Sequence, residues 1–329
     1  MPRRARSVLA AVLLAVPAAG LAACGGSGGG TGSDAGGSST LVLVAEVSAA
    51  AVATVEVPGA QSGEIGVPPG PLGMAATPDG TTVWVACSNG AALAPIRTSE
   101  RTAGRPVPVP GRPAALALAH GGRQALVVDS VDSELVTVDL AAGRTVGSPV
   151  QLPGIPTSVA LSGATAWVVD RLNGTLVPVD TASGRVGAPV PVGPSPASVV
   201  IAGSTAWVSV AGGASVVPVD LGLRRAGTPV ATDPEPQGLA LARGGRILVV
   251  AQSSSDTVAL VDTRTRKVTR QVPVGHDPFG VGVGPDGHTA YVTAPGSGEV
   301  DSVDVDTGRM VRVASLGDVS PEAVVAVRG

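Results

Sequence analysis

The chain has 329 residues, of which 44% are apolar and only 2% aromatic. So large an apolar fraction excludes an intrinsically disordered protein, and the scarcity of aromatic rings argues against a surface that stacks sugars or nucleobases. The formal net charge is −3, which gives the chain no electrostatic reason to bind nucleic acid.

The first 23 residues have the pattern of a secretion signal. Arg3, Arg4 and Arg6 form a basic start, and residues 7–23 carry no charge. This uncharged stretch is too short for a spanning helix of about 20 apolar residues. It leads into the segment 21–24, Leu-Ala-Ala-Cys, which resembles the bacterial lipobox. The resemblance implies cleavage before Cys24 and attachment of a diacylglyceryl group to its thiol.

A linker rich in Gly and Ser follows the cysteine. The sequence therefore predicts a lipoprotein signal peptide at 1–23, a lipidated Cys24 with a flexible linker at 24–40, and one folded domain at 41–329. The lipid would hold the domain at the outer face of the cell membrane, with the membrane itself as one partner. Ordinary secretion with a stray cysteine is the alternative. If Cys24 is lipidated, Cys87 has no partner for a disulfide, and we expect a small, semi-buried thiol.

Seven copies of a unit of about 40 residues fill the rest of the chain. The copies span 41–80, 81–122, 123–163, 164–203, 204–245, 246–287 and 288–329. Most contain a Gly-rich turn, a first β-rich run, and a second run that ends in Val-Asp. The aspartates of this pair are Asp139, Asp180, Asp220, Asp262 and Asp304. Short β-runs and tight turns at this period predict an all-β fold, a seven-bladed β-propeller of four-stranded antiparallel blades.

Side-chain size predicts the order of the strands, which we name A to D from the axis outward. Strand A has small residues such as Ala115 and Gly280, which fit where seven strands crowd around an axis. Strand D has prolines, which suit an outer edge because proline cannot donate to a β-ladder. These are Pro106, Pro108, Pro149, Pro189, Pro191 and Pro229. Pro95, Pro178 and Pro218 lie in strand C and predict that some C–D pairing is broken.

The two ends of the domain complement each other. The first copy begins with a B-type strand at 41–47 and has no A strand, while the chain ends with an A-type strand at 322–327. Pairing of these two segments in one blade would close the ring.

The last two copies contain a recurring set of short segments. They are Val-Pro-Val-Gly at 272–275, Pro-Phe-Gly-Val at 278–281, Pro-Asp-Gly at 285–287, Ala-Tyr-Val-Thr-Ala at 290–294, Val-Asp at 303–304 and Thr-Gly-Arg at 307–309. This set resembles the YVTN-type (YncE-like) family of bacterial β-propeller repeats. The resemblance implies the propeller fold over about 290 residues. It supplies no shared catalytic motif.

Candidate ligand-binding residues come from the D–A connections. In such blades the D–A and B–C connections lie on one face, and the D–A residues lie nearest the axis, where propellers usually hold their sites. The candidate rim consists of Arg112, Glu235, Gln237, His276, Asp277 and Glu322. The B–C connections add polar residues farther out, at Asp129, Asp132, Asp170, Arg171 and Asn173.

Neither a metal nor a cofactor is expected. Of the three histidines, His120 and His288 flank A–B turns of different blades and His276 belongs to the other face, so no two could share a metal ion. The Val-Asp aspartates are expected to head the C–D turns and accept backbone N–H bonds there. No catalytic residue can be named from the sequence.

Two functions are compatible with these features. The first is a non-enzymatic binding or scaffold module at the cell surface for a protein, a peptide or cell-wall material. The second is a hydrolase or lyase that uses the central funnel, by analogy with propeller lactonases and streptogramin lyases. We expect a monomer and no nucleic-acid partner, and we favour the first function.

Overall fold

The computed structural model describes residues 39–59 and 61–329. The predicted signal peptide, Cys24 and most of the predicted linker lie outside this range. The described residues form a β-propeller of seven antiparallel sheets, as the repeats predict. Within this part of the chain, no helix is both long and apolar enough to cross a membrane.

The blades are numbered by their position in the chain. Blade 1 contains β30 (Pro321–Arg328), β1 (Thr40–Glu46), β2 (Ala51–Val57) and β3 (Gln61–Gly66). Blade 2 contains β4 (Pro71–Ala76), β5 (Thr82–Cys87), β6 (Ala92–Arg97), β7 (Thr102–Ala103) and β8 (Val107–Pro108). Blade 3 contains β9 (Pro113–Ala119), β10 (Gln124–Asp129), β11 (Glu134–Asp139) and β12 (Arg144–Gln151). Blade 4 contains β13 (Pro156–Ser162), β14 (Thr165–Asp170), β15 (Thr175–Asp180) and β16 (Val190–Pro191).

The remaining blades follow the same order. Blade 5 contains β17 (Pro196–Ala202), β18 (Thr205–Val210), β19 (Ser215–Asp220), β20 (Arg225–Ala226) and β21 (Val230–Ala231). Blade 6 contains β22 (Pro236–Ala242), β23 (Ile247–Gln252), β24 (Thr257–Asp262) and β25 (Lys267–Pro273). Blade 7 contains β26 (Val281–Val283), β27 (Thr289–Ala294), β28 (Glu299–Asp304) and β29 (Met310–Ser315). Short 3-10 turns lie at His120–Gly122, Ala211–Gly213, Arg243–Gly245 and Ser253–Ser255.

The ring closes as predicted, by pairing of the two ends of the domain. Strand β30 pairs antiparallel with β1, with Val327 opposite Leu41 and Val324 opposite Val44. Each A strand also contacts the A strands of both neighbouring blades, and the circle is completed by contact of β30 with β4. Blade 1 therefore takes its A strand from the end of the chain and its other three strands from the start.

The core consists of apolar layers between neighbouring blades rather than one central core. Seven buried clusters each join mainly two adjacent blades. Trp84, Trp167, Trp207 and Tyr291 lie on the B strands, and each packs into the layer shared with the next blade along the chain. Small residues such as Ala115 and Ala117 are fully buried on the A strands, where the spacing is tightest.

The prediction of broken C–D pairing is confirmed in the three blades with a proline in strand C. Strand D is split into β7 and β8 in blade 2 and into β20 and β21 in blade 5, and in blade 4 only β16 and one isolated bridge remain. Each proline lies opposite a tryptophan of strand B, in the pairs Trp84–Pro95, Trp167–Pro178 and Trp207–Pro218. Because proline has no N–H to donate, it interrupts the ladder at this point.

The Val-Asp aspartates cap the C–D turns, as predicted. Asp139 Oδ1 accepts the backbone N–H groups of Ala141 and Ala142, and Asp304 Oδ1 accepts those of Asp306 and Thr307. The other three aspartates accept backbone N–H groups in the same way, among them those of Ser183, Leu223 and Thr265. These carboxylates therefore have a structural role, spread around one face of the disc.

Candidate functional site

The D–A and B–C connections meet on one face of the disc, which we call the upper face. In blade 1, for example, Pro321 at the start of strand A lies opposite Glu46 at the end of strand B. A cavity of about 760 Å³ opens on this face across blades 6, 7 and 1; we call it the upper cavity. Its wall is formed by Ser48, Glu235, Gln237, Ser253, Asp277, Phe279, residues 295–298, residues 317–320 and Glu322.

Three wall residues occupy the same place in the repeat, directly after the proline that lies at or just before the start of strand A. They are Gln237 in blade 6, Phe279 in blade 7 and Glu322 in blade 1. A neighbouring element fixes the backbone of each one. Ser209 Oγ donates to the Gln237 carbonyl at 2.6 Å, the Gly238 N–H donates to the Phe279 carbonyl at 3.0 Å, and Thr293 Oγ1 donates to the Glu322 carbonyl at 3.0 Å.

The other carboxyl groups come from the loops before these strands. Glu235 and Asp277 precede their prolines and have positive φ angles of 57° and 58°. A left-handed backbone costs a residue other than glycine about 1 kcal/mol, so the fold holds these two side chains in place against local strain. Glu235 Oε2 accepts hydrogen bonds from the Ser253 and Ser254 hydroxyls at 3.3 and 2.7 Å.

Glu322 has a strongly perturbed carboxyl group in the wall of the upper cavity. Burial, together with the nearby charge of Asp277, raises its pKa to about 7, although the Ser320 hydroxyl donates to its Oε1 at 3.4 Å and opposes the shift. Burial disfavours a charged carboxylate, and a second carboxylate adds to that effect. The group is therefore poised to exchange a proton near neutral pH.

Gln237 contributes an unsatisfied acceptor. Its side chain is only 7% exposed, and Oε1 has no hydrogen-bond partner among the described residues. Buried side-chain oxygens nearly always have a partner, because an unpaired one loses its bonds to water without replacement.

Four of the six residues of the predicted rim line the upper cavity, and two do not. Glu235, Gln237, Asp277 and Glu322 come together in its wall. Arg112 lies on blade 3, with an exposed side chain and its backbone N–H bonded to Asp129. All six lie on the upper face, as the position of the D–A connections predicts, but the rim formed by seven blades is wider than one cavity.

His276 lies beside the upper cavity rather than in its wall. Its Nδ1 is 2.9 Å from both carboxylate oxygens of Asp256, and this contact raises the pKa of the imidazole. Its side chain is 69% exposed and its ring lies against Gly296 of the wall. Asp256 also accepts the Asp277 N–H at 2.9 Å. One carboxylate thus fixes the loop that carries Asp277.

Asp129 and Asp170, the last residues of strand B in blades 3 and 4, are loop anchors rather than rim groups. Asp129 accepts the N–H groups of Arg112, Val131 and Asp132, at 2.7 to 3.0 Å. Asp170 makes the equivalent bonds in blade 4, to Ile155, Leu172 and Asn173. Both are at most 2% exposed. A Cβ on Gly111 would lie 1.5 Å from Asp129 Oδ2, so the preceding D–A loop needs glycine to approach the carboxylate.

Several wall residues were not singled out from the sequence. Asp318, Val319 and the B–C segment 295–298 lie in loops whose direction depends on contacts between blades. The alignment of the copies did carry one usable signal. The position after the proline is Leu72, Ala114, Thr157 and Ala197 in four blades but changes to Gln237, Phe279 and Glu322 in the three that form the upper cavity.

Among the described residues, no three His, Cys, Asp or Glu side chains are grouped in a way that could hold a metal ion. Cys87 is fully buried rather than semi-buried as expected, and burial raises the pKa of its thiol to about 12. A thiol that remains protonated at neutral pH is a poor nucleophile.

Comparisons with known proteins show the fold. No protein-family model matches the sequence, and no curated protein is significantly similar to it. A functionally unknown protein from Desulfotomaculum acetoxidans has a similar structure, with a TM-score of 0.76 and 14% identity over 88% of this chain and 99% of that one. Virginiamycin B lyase from Staphylococcus aureus has a TM-score of 0.65 and 12% identity over 77% of this chain and 87% of that one.

Hydrazine synthase from Kuenenia stuttgartiensis is also similar, with a TM-score of 0.65 and 18% identity over 73% of this chain and 78% of that one. At these identities the similarity extends to the architecture and not to chemistry. Membership of the YVTN-type family stays a prediction, and the fold of the chain is a seven-bladed β-propeller.

Proposed function

We propose that the chain is a non-enzymatic binding module, anchored at the cell surface by a lipid on Cys24, which receives its ligand in the upper cavity. One observation carries the proposal: a cavity of about 760 Å³ on the upper face whose wall brings together carboxyls, hydroxyls and an unsatisfied amide. Concave sites with a few convergent polar groups are typical of ligand binding.

The position of the first strand supports a surface role. Strand β1 starts at Thr40, opposite Arg328 at the end of strand A, and therefore on the face away from the upper cavity. A tether attached ahead of Thr40 would join the disc at this lower face. The upper cavity would then face away from the membrane, toward ligands outside the cell.

A capture experiment with the full-length lipoprotein tests this function. The protein is solubilised, incubated with envelope and culture extracts, and washed, and retained compounds are identified by mass spectrometry. Ser48→Trp with Val319→Trp fills the upper cavity, while Ala142→Trp with Ala182→Trp adds the same bulk to the exposed C–D turns of the lower face. We expect compounds that the wild type and the lower-face variant retain and that the filled variant loses. Equal retention by all three proteins would contradict the proposal.

A hydrolase or lyase is the second candidate, and the Asp256–His276 contact is the observation that favours it. A carboxylate that holds Nδ1 orients the imidazole for proton transfer through its other nitrogen. The test follows turnover of virginiamycin B and simple lactones by mass spectrometry. An enzyme of this kind would lose turnover in His276→Ala and keep it in His120→Ala, whose histidine lies on the lower face. The absence of turnover by the wild type would count against this candidate.

A further inference from the structure

The charge of the upper cavity is one-sided. Glu235, Asp277, Asp318 and Glu322 all contribute carboxyl groups to its wall, and no lysine, arginine or histidine lies in the wall that the described residues form. Carboxylates that share a concave, partly dehydrated site repel one another and attract cations. The wall therefore has charge complementarity to a positively charged ligand.

The hydrogen-bonding groups of the wall indicate a ligand that donates. Gln237 Oε1 is an acceptor with no partner in the described part of the chain, and its residue is more than nine-tenths buried. Carboxylates accept and do not donate, so Glu322 and Glu235 add further acceptors around the same space. An ammonium group has three N–H donors and a guanidinium has five, which matches a wall of acceptors.

The size and composition of the wall favour an organic cation over a bare metal ion. A volume of about 760 Å³ is in the range of sites for small organic molecules. Phe279, Pro295 and Val319 supply apolar surface, and Phe279 itself is 8% exposed and packs into the layer between blades 1 and 2. No set of three metal-ligating side chains comes together among residues 39–59 and 61–329.

We propose that the upper cavity binds a small organic cation, with an ammonium or guanidinium group held by Glu322, Asp277 and Gln237 and an apolar body against Phe279. The inference rests on the proposed binding function and names the chemical class of its ligand. The raised pKa of Glu322 agrees with it, because a nearby cation would offset the cost of its buried charge.

Three probes of one shape separate charge from size. Benzylammonium, benzyl alcohol and benzoate share a ring and differ in charge, and their binding to the full-length lipoprotein is measured by ligand-observed NMR at neutral pH. We expect benzylammonium to bind with a Kd of about 1 mM and the other two to bind about tenfold more weakly or not at all. Neither Mg²⁺ nor Ca²⁺ at about 1 mM should displace it.

Isosteric variants locate the bound cation. Glu322→Gln with Asp277→Asn should weaken benzylammonium binding about tenfold or more. Gln237→Leu, which keeps the charge and removes the acceptor, should weaken it several-fold. Asp132→Asn removes one charge from the exposed surface of blade 3 on the same face and should leave the affinity unchanged. Thermal melting of each variant confirms that it is folded.

Several results would overturn the inference. They are failure of benzylammonium to bind, equal binding of the alcohol or benzoate, displacement by divalent cations, or full binding by the double variant. If the extract experiment finds neutral or anionic compounds held in the upper cavity, the binding function stands and the ligand class is wrong. If the cavity-filled variant retains everything that the wild type retains, the binding function itself fails.

Discussion

Blades 3 and 4 differ from blades 6 and 1 in the residue at one position of the repeat, the last residue of strand B, and in how that residue is hydrogen-bonded. Asp129 and Asp170 occupy it in the first pair, and backbone N–H groups of two loops surround each carboxylate. Gln252 and Glu46 occupy it in the second pair. Gln252 Nε2 and Glu46 Oε2 are buried and have no hydrogen-bond partner in the described structure.

This difference shows how a repeat protein distinguishes one part of a symmetric face. Blades 3 and 4 use the buried carboxylates of Asp129 and Asp170 to close their own loops. Blades 6, 7 and 1 lack this aspartate, and after the strand A proline they carry Gln237, Phe279 and Glu322 where the other four blades carry Leu72, Ala114, Thr157 and Ala197. In natural proteins, residues that break the local rules of the fold are concentrated at functional sites.

The largest expected effect comes from breaking a satisfied loop. Asp170→Ala removes a buried carboxylate that accepts four hydrogen bonds, from the N–H groups of Ile155, Leu172 and Asn173 and from Asn173 Nδ2. We expect a loss of about 4 kcal/mol of unfolding free energy, because the two loops lose four hydrogen bonds to one charged acceptor at once. Urea denaturation measures the loss. Asp132→Ala, at an exposed residue of the same face, should change stability by less than about 0.5 kcal/mol. Similar values for the two would contradict the anchor role.

The same repeat position should behave in the opposite way in blade 1. Burial, with the charge of Glu64, raises the pKa of Glu46 from 4.5 to about 7. The folded state therefore holds the proton more tightly than the unfolded chain. Ionisation costs no stability below about pH 4.5, and the cost grows until the pH exceeds the folded pKa. Glu46→Gln should gain about 3 kcal/mol at pH 8 and almost nothing at pH 4.5.

Urea denaturation at the two pH values measures this gain. Glu64→Gln serves as the control, since it removes the neighbouring charge and leaves Glu46 in place, and it should give a smaller gain of the same sign. Glu46→Gln could instead lose stability at pH 8, as expected for Asp170→Ala. The last residue of strand B would then have the same anchoring role in blade 1 as in blade 4.

A smaller effect is expected at the unsatisfied amide of the upper cavity. Gln237→Leu replaces a buried group whose oxygen lacks a partner with an apolar side chain of similar size, and we expect a gain of about 1 kcal/mol. Thermal unfolding without ligand measures it. A gain in stability together with weaker benzylammonium binding would identify a residue kept for binding rather than for folding. A clear loss of stability would show that Gln237 has a structural role.

The smallest difference is expected on the lower face, where the two halves are alike. Asp139→Ala in blade 3 and Asp304→Ala in blade 7 each remove one carboxylate that accepts two backbone N–H bonds of a C–D turn. Each should cost about 1 kcal/mol, equal within error, as expected for exposed caps. If paired urea titrations gave unequal losses of stability for the two variants, the difference between the blades would extend from the upper face to the lower face.

The fold could be predicted from the sequence because each of its features repeats. The Val-Asp pair marked every later C–D turn, and the missing A strand at one end matched the extra strand at the other. The prolines Pro95, Pro178 and Pro218 even located the interrupted ladders, since a missing N–H has the same effect in every blade.

The site could be predicted only in part, because it depends on what does not repeat. The face and four of the six rim residues followed from the position of the D–A loops. The direction of His276 depends on Asp256, a residue of the preceding blade, and the roles of Asp129 and Asp170 depend on loops that fold back onto them. Such contacts depend on loop conformations that the repeat pattern of the sequence does not predict.

The central claim is that the upper cavity, formed by blades 6, 7 and 1, is a cation site. A crystal structure of the protein with benzylammonium tests this claim most directly. The account predicts density for the probe in the upper cavity, with its nitrogen within hydrogen-bond distance of Glu322 or Asp277 and its ring near Phe279. An empty upper cavity at saturating probe, or a probe bound over Asp129 and Asp170 in blades 3 and 4, would contradict it.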